Sequence, residues 1–206
     1  MEMTSAVWSF ALVVGVLTLT PGLDSALILR TAALGERRRA WGVVLGIQTG
    51  TLVWGTLSSA GVSALLTVSR VAYETLRWAG VCYLLWMGVQ LLRARHAEPE
   101  GEDRGTGGGL GEGWRRGALT NLLNPKVGVF YVAVLPQFIP RTAPHLATGV
   151  LLTSVHVAEG LLWSAVLVAF ARTLRSWLRR PSARRLMDRV TGTAVIGFGV
   201  KLAVSD

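Results

Sequence analysis

The sequence predicts an all-α integral membrane protein of about six transmembrane helices, arranged as two inverted three-helix repeats whose first helices are broken by proline. Three observations predict it. Of 206 residues, 51% are apolar and only 16% charged, with a mean hydropathy of +0.46. Weakly charged windows close to the roughly 20 residues that cross a hydrocarbon core recur along the chain. Pro21 and Pro125, each beside polar residues, interrupt the apolar run that opens each half.

Met3 to Leu23 carries no charge and continues past Asp24 to Leu29; Ala40 to Ser69 carries none either. These are the first two spans. Val71 to Leu92 begins with Glu74 and Arg77, spaced to pair on one helix face, and is uncharged from Trp78. Gly117 to Pro136 holds Lys126, and His145 to Ala171 holds His156 and Glu159. Val190 to Val204 is shorter and contains Lys201; it crosses, stops partway, or lies at a subunit contact. Residues 93–116, rich in Gly and Glu without apolar periodicity, read as a flexible cytoplasmic linker between a first repeat (1–92) and a second (117–206).

The formal charge of +9 and pI near 11.1 would suit a nucleic-acid binder if the basic residues shared a folded face. They do not: 30–40 holds four, 93–116 five and 172–189 seven, while Arg70 and Arg141 stand alone in the alternate connections. The positive-inside rule places those three loops in the cytoplasm and both termini outside, and anionic lipid, not nucleic acid, is the expected partner. MEMTSAVW lacks the basic start of a secretory signal, so the first span is expected to stay. Trp8, Trp41, Trp114 and Trp177 sit near span ends as interfacial anchors. Cys82, the single cysteine, excludes an internal disulfide and reads as inert packing.

A charge at the bilayer centre costs about 2.5–3.5 kcal/mol on insertion scales, so each one there needs a role. Asp24 follows Thr20, Pro21 and Gly22. Proline removes a backbone donor and glycine permits non-helical dihedrals, so carbonyls around Leu17 lose partners beside a carboxylate, a setting for an ammonium group or a proton. Alternatively Asp24 caps the helical segment that follows it. In the second half, Asn121 and Asn124 share a face, Asn124 caps a helix opened by Pro125, and free N–H groups there would suit a carboxylate. Lys126 either adds its charge to that site or snorkels toward Arg115 and Arg116. His156 and Glu159, three residues apart, are a proton-linked pair, two metal ligands, or a mutually satisfied hydrogen-bonded pair. Gln48, Thr49 and Thr51 add polar groups to the second span, and Gly42, Gly46 and Gly50 form a small-residue stripe for close helix packing.

TPGLDSALILRTAALGERRRAWGVVLGIQTGTLVW together with NLLNPKVGVFYVAVLPQFI resembles the amino-acid exporters of the LysE/RhtB family, over nearly all of residues 1–204. Pro21, Gly22 and Asp24 match its first motif; Asn124, Pro125 and Lys126, then Leu135, Pro136, Gln137 and Phe138, match its second. Leu23 stands where the family's first motif has a second proline, which leaves that break less rigid. The resemblance implies a bacterial inner-membrane homodimer, not an enzyme and without a cofactor, that exports amino acids against protons. Asp24 would take the ammonium group or a proton, Lys126 and the N–H groups after Asn124 the carboxylate, with neutral or hydroxylated substrates favoured over basic ones. A divalent-metal efflux carrier using His156, Glu159 and Asp24 is the alternative reading. A membrane-embedded hydrolase built on Ser25 and His156, or an assembly subunit, is a third.

Overall fold

The computed structural model of the chain describes residues 2–20, 22–68, 108–140, 142–171 and 181–204, with isolated positions between 71 and 93 and residue 173. Pro21, Trp177, most of the third span and most of the 93–116 linker lie outside the described residues. The described residues form helices joined by turns: α1 (Met3–Leu19), α2 (Leu23–Ala33), α3 (Arg37–Val68), α4 (Leu110–Leu122), α5 (Pro125–Val129), α6 (His145–Ala169) and α7 (Pro181–Val204). After α5 the helix continues as a π turn (Phe130–Val134) and a 3-10 turn (Leu135–Phe138).

Among the described residues, α6 alone is long and apolar enough to cross a membrane; α1 with α2 and α4 with the helix that follows it are pairs bent by 53° and 58° that bring the number to three if each is one span. Six were expected from the sequence. The 32-residue α3 is diluted by Gly, Ser and Thr along its length, and α7 opens on a charged turn, so neither reaches the apolarity of α6. The charged residues from Pro181 onward are helical, not part of a loop, and α4 starts at Leu110, inside the segment read as linker. Trp114 lies within α4, where its indole donates to Thr49 Oγ1 at 3.1 Å and ties this amphipathic turn to α3. Cys82 is exposed, not packed inward; it shares its exposure with Val71, Thr75, Trp78, Trp86 and Val89, which recur every three or four residues, while Val81 is buried.

The α3–α4 contact explains why glycine is tolerated in helices that it weakens by about 1 kcal/mol per residue. A Cβ on Gly42 would overlap the carbonyl of Leu110, one on Gly46 that of Trp114, and one on Gly50 the Asn121 side chain. The reverse face is equally bare: Gly113 and Gly117 press against the carbonyls of Arg39 and Val43. Backbone thus meets backbone within one chain, the approach small residues permit in lipid. At the end of this seam Arg39, 5% exposed, bonds Glu36 at 3.0 Å and Glu112 at 2.8 Å. Arg39, expected from the sequence as a topology signal, thus has a structural place, since a charge so buried requires partners.

Two apolar clusters complete the core. Phe10, Val14 and Leu17 of α1 pack on Val127, Phe130, Tyr131 and Phe138, with Phe10 and Phe138 edge to face at 5.4 Å. Ile28 and Leu29 of α2 pack on Val43, Val44 and Ile47 of α3 and Leu167 of α6. Large apolar side chains such as Trp8, Leu12, Leu57 and Leu162 point outward, the expected arrangement where lipid replaces water.

Candidate functional site

A cavity of about 70 Å³, room for several water molecules, lies where the two bent pairs meet α3 and α6. Asp24, Gly22, Gln48, Asn121, Asn124, Lys126 and His156 all line it, together with Thr18, Thr20, Ser25, Thr51, Trp163 and Ser164.

The first break is produced by local chemistry. α1 ends at Leu19, Thr20 donates both its N–H and its hydroxyl to the Val16 carbonyl, and Gly22 is extended before α2 begins. Asp24 sits in the first turn of α2, where the helix dipole favours a negative charge. It does not cap its own helix. Its Oδ2 accepts from Asn121 Nδ2 at 2.8 Å and its Oδ1 from Asn124 Nδ2 at 3.4 Å, so the first break is bonded to the second.

The second break has the opposite character. Asn124 is the N-cap of α5, its Oδ1 accepting the Lys126 N–H at 3.1 Å, and its carbonyl takes the N–H groups of Val127 and Gly128. The N–H groups expected from the sequence to receive a carboxylate are therefore already satisfied, because one asparagine serves all three. Positive charge in the cavity comes from the Lys126 side chain instead. Its Nζ donates to the Leu17 carbonyl at 3.2 Å, beside Gly22, so it turns into the first break and not toward the headgroups. There it lines the same cavity as Asp24 and His156.

His156 and Glu159 share a helix face but not a partner. His156 Nδ1 lies 2.7 Å from the Tyr131 hydroxyl, with the two rings stacked at 5.7 Å, and it reaches the cavity. Glu159 is outside the cavity lining: its Oε2 is buried without a hydrogen-bond partner among the described residues, against α1, where a Cβ on Gly15 would approach it to 3.3 Å. Tyr131 was not singled out in the sequence; it reaches His156 from the π turn, and only a Tyr within an NPK-led helix hinted at it. Trp163 Nε1 and Thr18 Oγ1, both in the lining, are buried and without partners among the described residues. No three His, Cys, Asp or Glu residues come together as a metal-binding group among the described residues.

The family model of the LysE type translocator matches residues 5–206. The chain belongs to the LysE type translocator family. Among its relatives, the homoserine/homoserine lactone efflux protein of Salmonella typhi is 29% identical to it over 203 residues, covering 95% of this chain and 96% of that protein. The leucine efflux protein of Klebsiella pneumoniae is 26% identical, with 90% and 88% covered. The membrane protein YrhP of Bacillus subtilis is 24% identical, with 94% and 96% covered. No solved structure matches the translocator. Family membership places it in a membrane.

Proposed function

We propose that this translocator exports a zwitterionic amino acid, neutral or hydroxylated in preference to basic, across the bacterial inner membrane by proton antiport. The observation that carries the reading is the crossing of the two breaks: a carboxylate from the first and an ammonium from the second line one cavity, one for each end of an amino-acid backbone. Asp24 receives the ammonium group or a proton, Lys126 the carboxylate, and Gln48 and His156 flank them. Preference against basic side chains follows from Glu159 lying outside the lining, which leaves Asp24 as the carboxylate of the described cavity. The efflux of homoserine and leucine named for two relatives supports the same substrate class.

The reading includes two inverted halves, 1–92 and 117–206, joined by 93–116, with the basic segments 30–40, 93–116 and 172–189, helical in part, on the cytoplasmic side, the termini outside and the protein a homodimer. Each half opens on a bent pair of similar angle, and each supplies a tryptophan, Trp54 on Gly128 of α5 and Trp163 on the cluster that includes α2, to the other's surroundings or its own. Glu159 gives the proton a second site, separate from the cavity.

Efflux of a mixed labelled amino-acid pool from proteoliposomes, with and without an imposed pH gradient, tests the reading. Selective, gradient-dependent loss of one or a few neutral or hydroxylated species is the expected result. Retention of every amino acid by vesicles that hold folded protein overturns it and moves attention to divalent metal efflux.

A further inference from the structure

The carbonyl of Leu17 is where the first break is chemically open. In an unbroken helix it would accept the N–H of residue 21, and residue 21 is a proline. Lys126 Nζ donates to it instead, from 109 residues away. Two further oxygen groups line the same cavity: the Thr18 hydroxyl, buried and without a partner among the described residues, and the Asp24 carboxylate. A carbonyl, a hydroxyl and a carboxylate make a subsite for a primary ammonium, and a lysine side chain ends in one.

Resting on the reading of this cavity as an amino-acid site, we propose that Lys126 is a tethered cation that fills the substrate's ammonium subsite and exchanges with it. The arriving ammonium takes the Leu17 carbonyl, the Thr18 hydroxyl and Asp24. Lys126, released on its flexible stem, turns to the arriving carboxylate. Both charges of the ligand are then required. An amine without a carboxylate would have to displace Lys126 with no anion to receive it, so simple cations are refused by exchange and not by repulsion.

The test is binding of leucine and of its decarboxylated counterpart, 3-methylbutylamine, to the purified full chain and to Lys126→Met, Pro21→Ala and the double variant. Lys126→Met vacates the subsite, so its affinity for the amine should rise at least about tenfold over the parent, the value of one charged hydrogen bond. Pro21→Ala gives Leu17 an N–H partner, and in the double variant the gain should vanish. A folded Lys126→Met protein with no gain, or a gain that survives in the double variant, overturns the exchange. If Lys126→Met does not fold, Lys126→Gln, shorter and uncharged, takes its place with the same expected gain for the amine, and a folded Lys126→Gln protein with no gain overturns the proposal. Amine gain without leucine binding by the parent keeps the exchange and counts against leucine as a substrate. Leucine binding without amine gain keeps the transport reading and removes the exchange.

Discussion

The two breaks differ in what they leave unsatisfied. At the first, a proline withdraws an N–H from the Leu17 carbonyl and Asp24 adds two more acceptor oxygens, so the break accumulates acceptors that its own segment does not fill. At the second, Asn124 closes the helix start with its own side chain and carbonyl, and what remains is surplus donors: the amides of Asn121 and Asn124 and the ammonium of Lys126. A break after a helix and a break before one are thus complementary, and each completes the other. Their supports differ as well. α4, which carries the second break, lies backbone to backbone on α3, whereas α1 is held by interlocking side chains such as Phe10 on Phe130 and Phe138.

The comparison breaks most severely if the first region loses its charge. Asp24→Asn leaves two amide donors facing a group that is itself half donor, and export should fall by about 100-fold with the protein still in the membrane, read as proteoliposome flux beside a membrane-fraction blot. Unchanged flux would remove Asp24 from the acceptor side. The anchoring of the second region is tested by Gly46→Val, which drives a branched side chain into the Trp114 carbonyl. It should cost about 3 kcal/mol and lower the thermal midpoint, whereas an unshifted melting curve would deny the backbone contact. Smallest is Asn124→Ala, which uncaps α5 and removes the weaker of the two Asp24 bonds. A loss of about 1 kcal/mol in unfolding measurements is expected, and a stability equal to the parent would show that the second break does not depend on its cap.

How much of this was legible depended on whether the cause is local. Pro21, Gly22, Asn124 and Pro125 act through their own dihedrals and missing N–H groups, so both breaks stand in the sequence at the residues where the helices stop. The glycine stripe on α3 was visible as spacing, but its partner was not, because Gly113 lies in a segment whose composition resembles a linker and Gly117 stands at the first position of the span that follows. Lys126 was ambiguous for the same reason: its spacing from Arg115 permits snorkelling as readily as a place in the site, and only the packing of α1 against α5 puts the Leu17 carbonyl within reach. His156 and Glu159 share a face by period, yet their neighbours are chosen by other elements. The π turn at Phe130–Val134 presents Tyr131 to the histidine, and Gly15 clears room for the glutamate. Period fixes direction, while partners come from the rest of the chain.

The glycine seam also has a mechanical meaning. The chain's midpoint falls between α3 and α4, yet at Gly42, Gly46, Gly113 and Gly117 the two helices are joined by the contact least able to yield, since no side chain intervenes there to change rotamer. The stiff unit formed by α3 and α4 therefore straddles the chain's covalent midpoint, and the seam itself is the last place for a hinge. Two coexpressed pieces cut at residue 100 should accordingly copurify as one complex, and pieces that separate in mild detergent would show that the midpoint is the hinge after all.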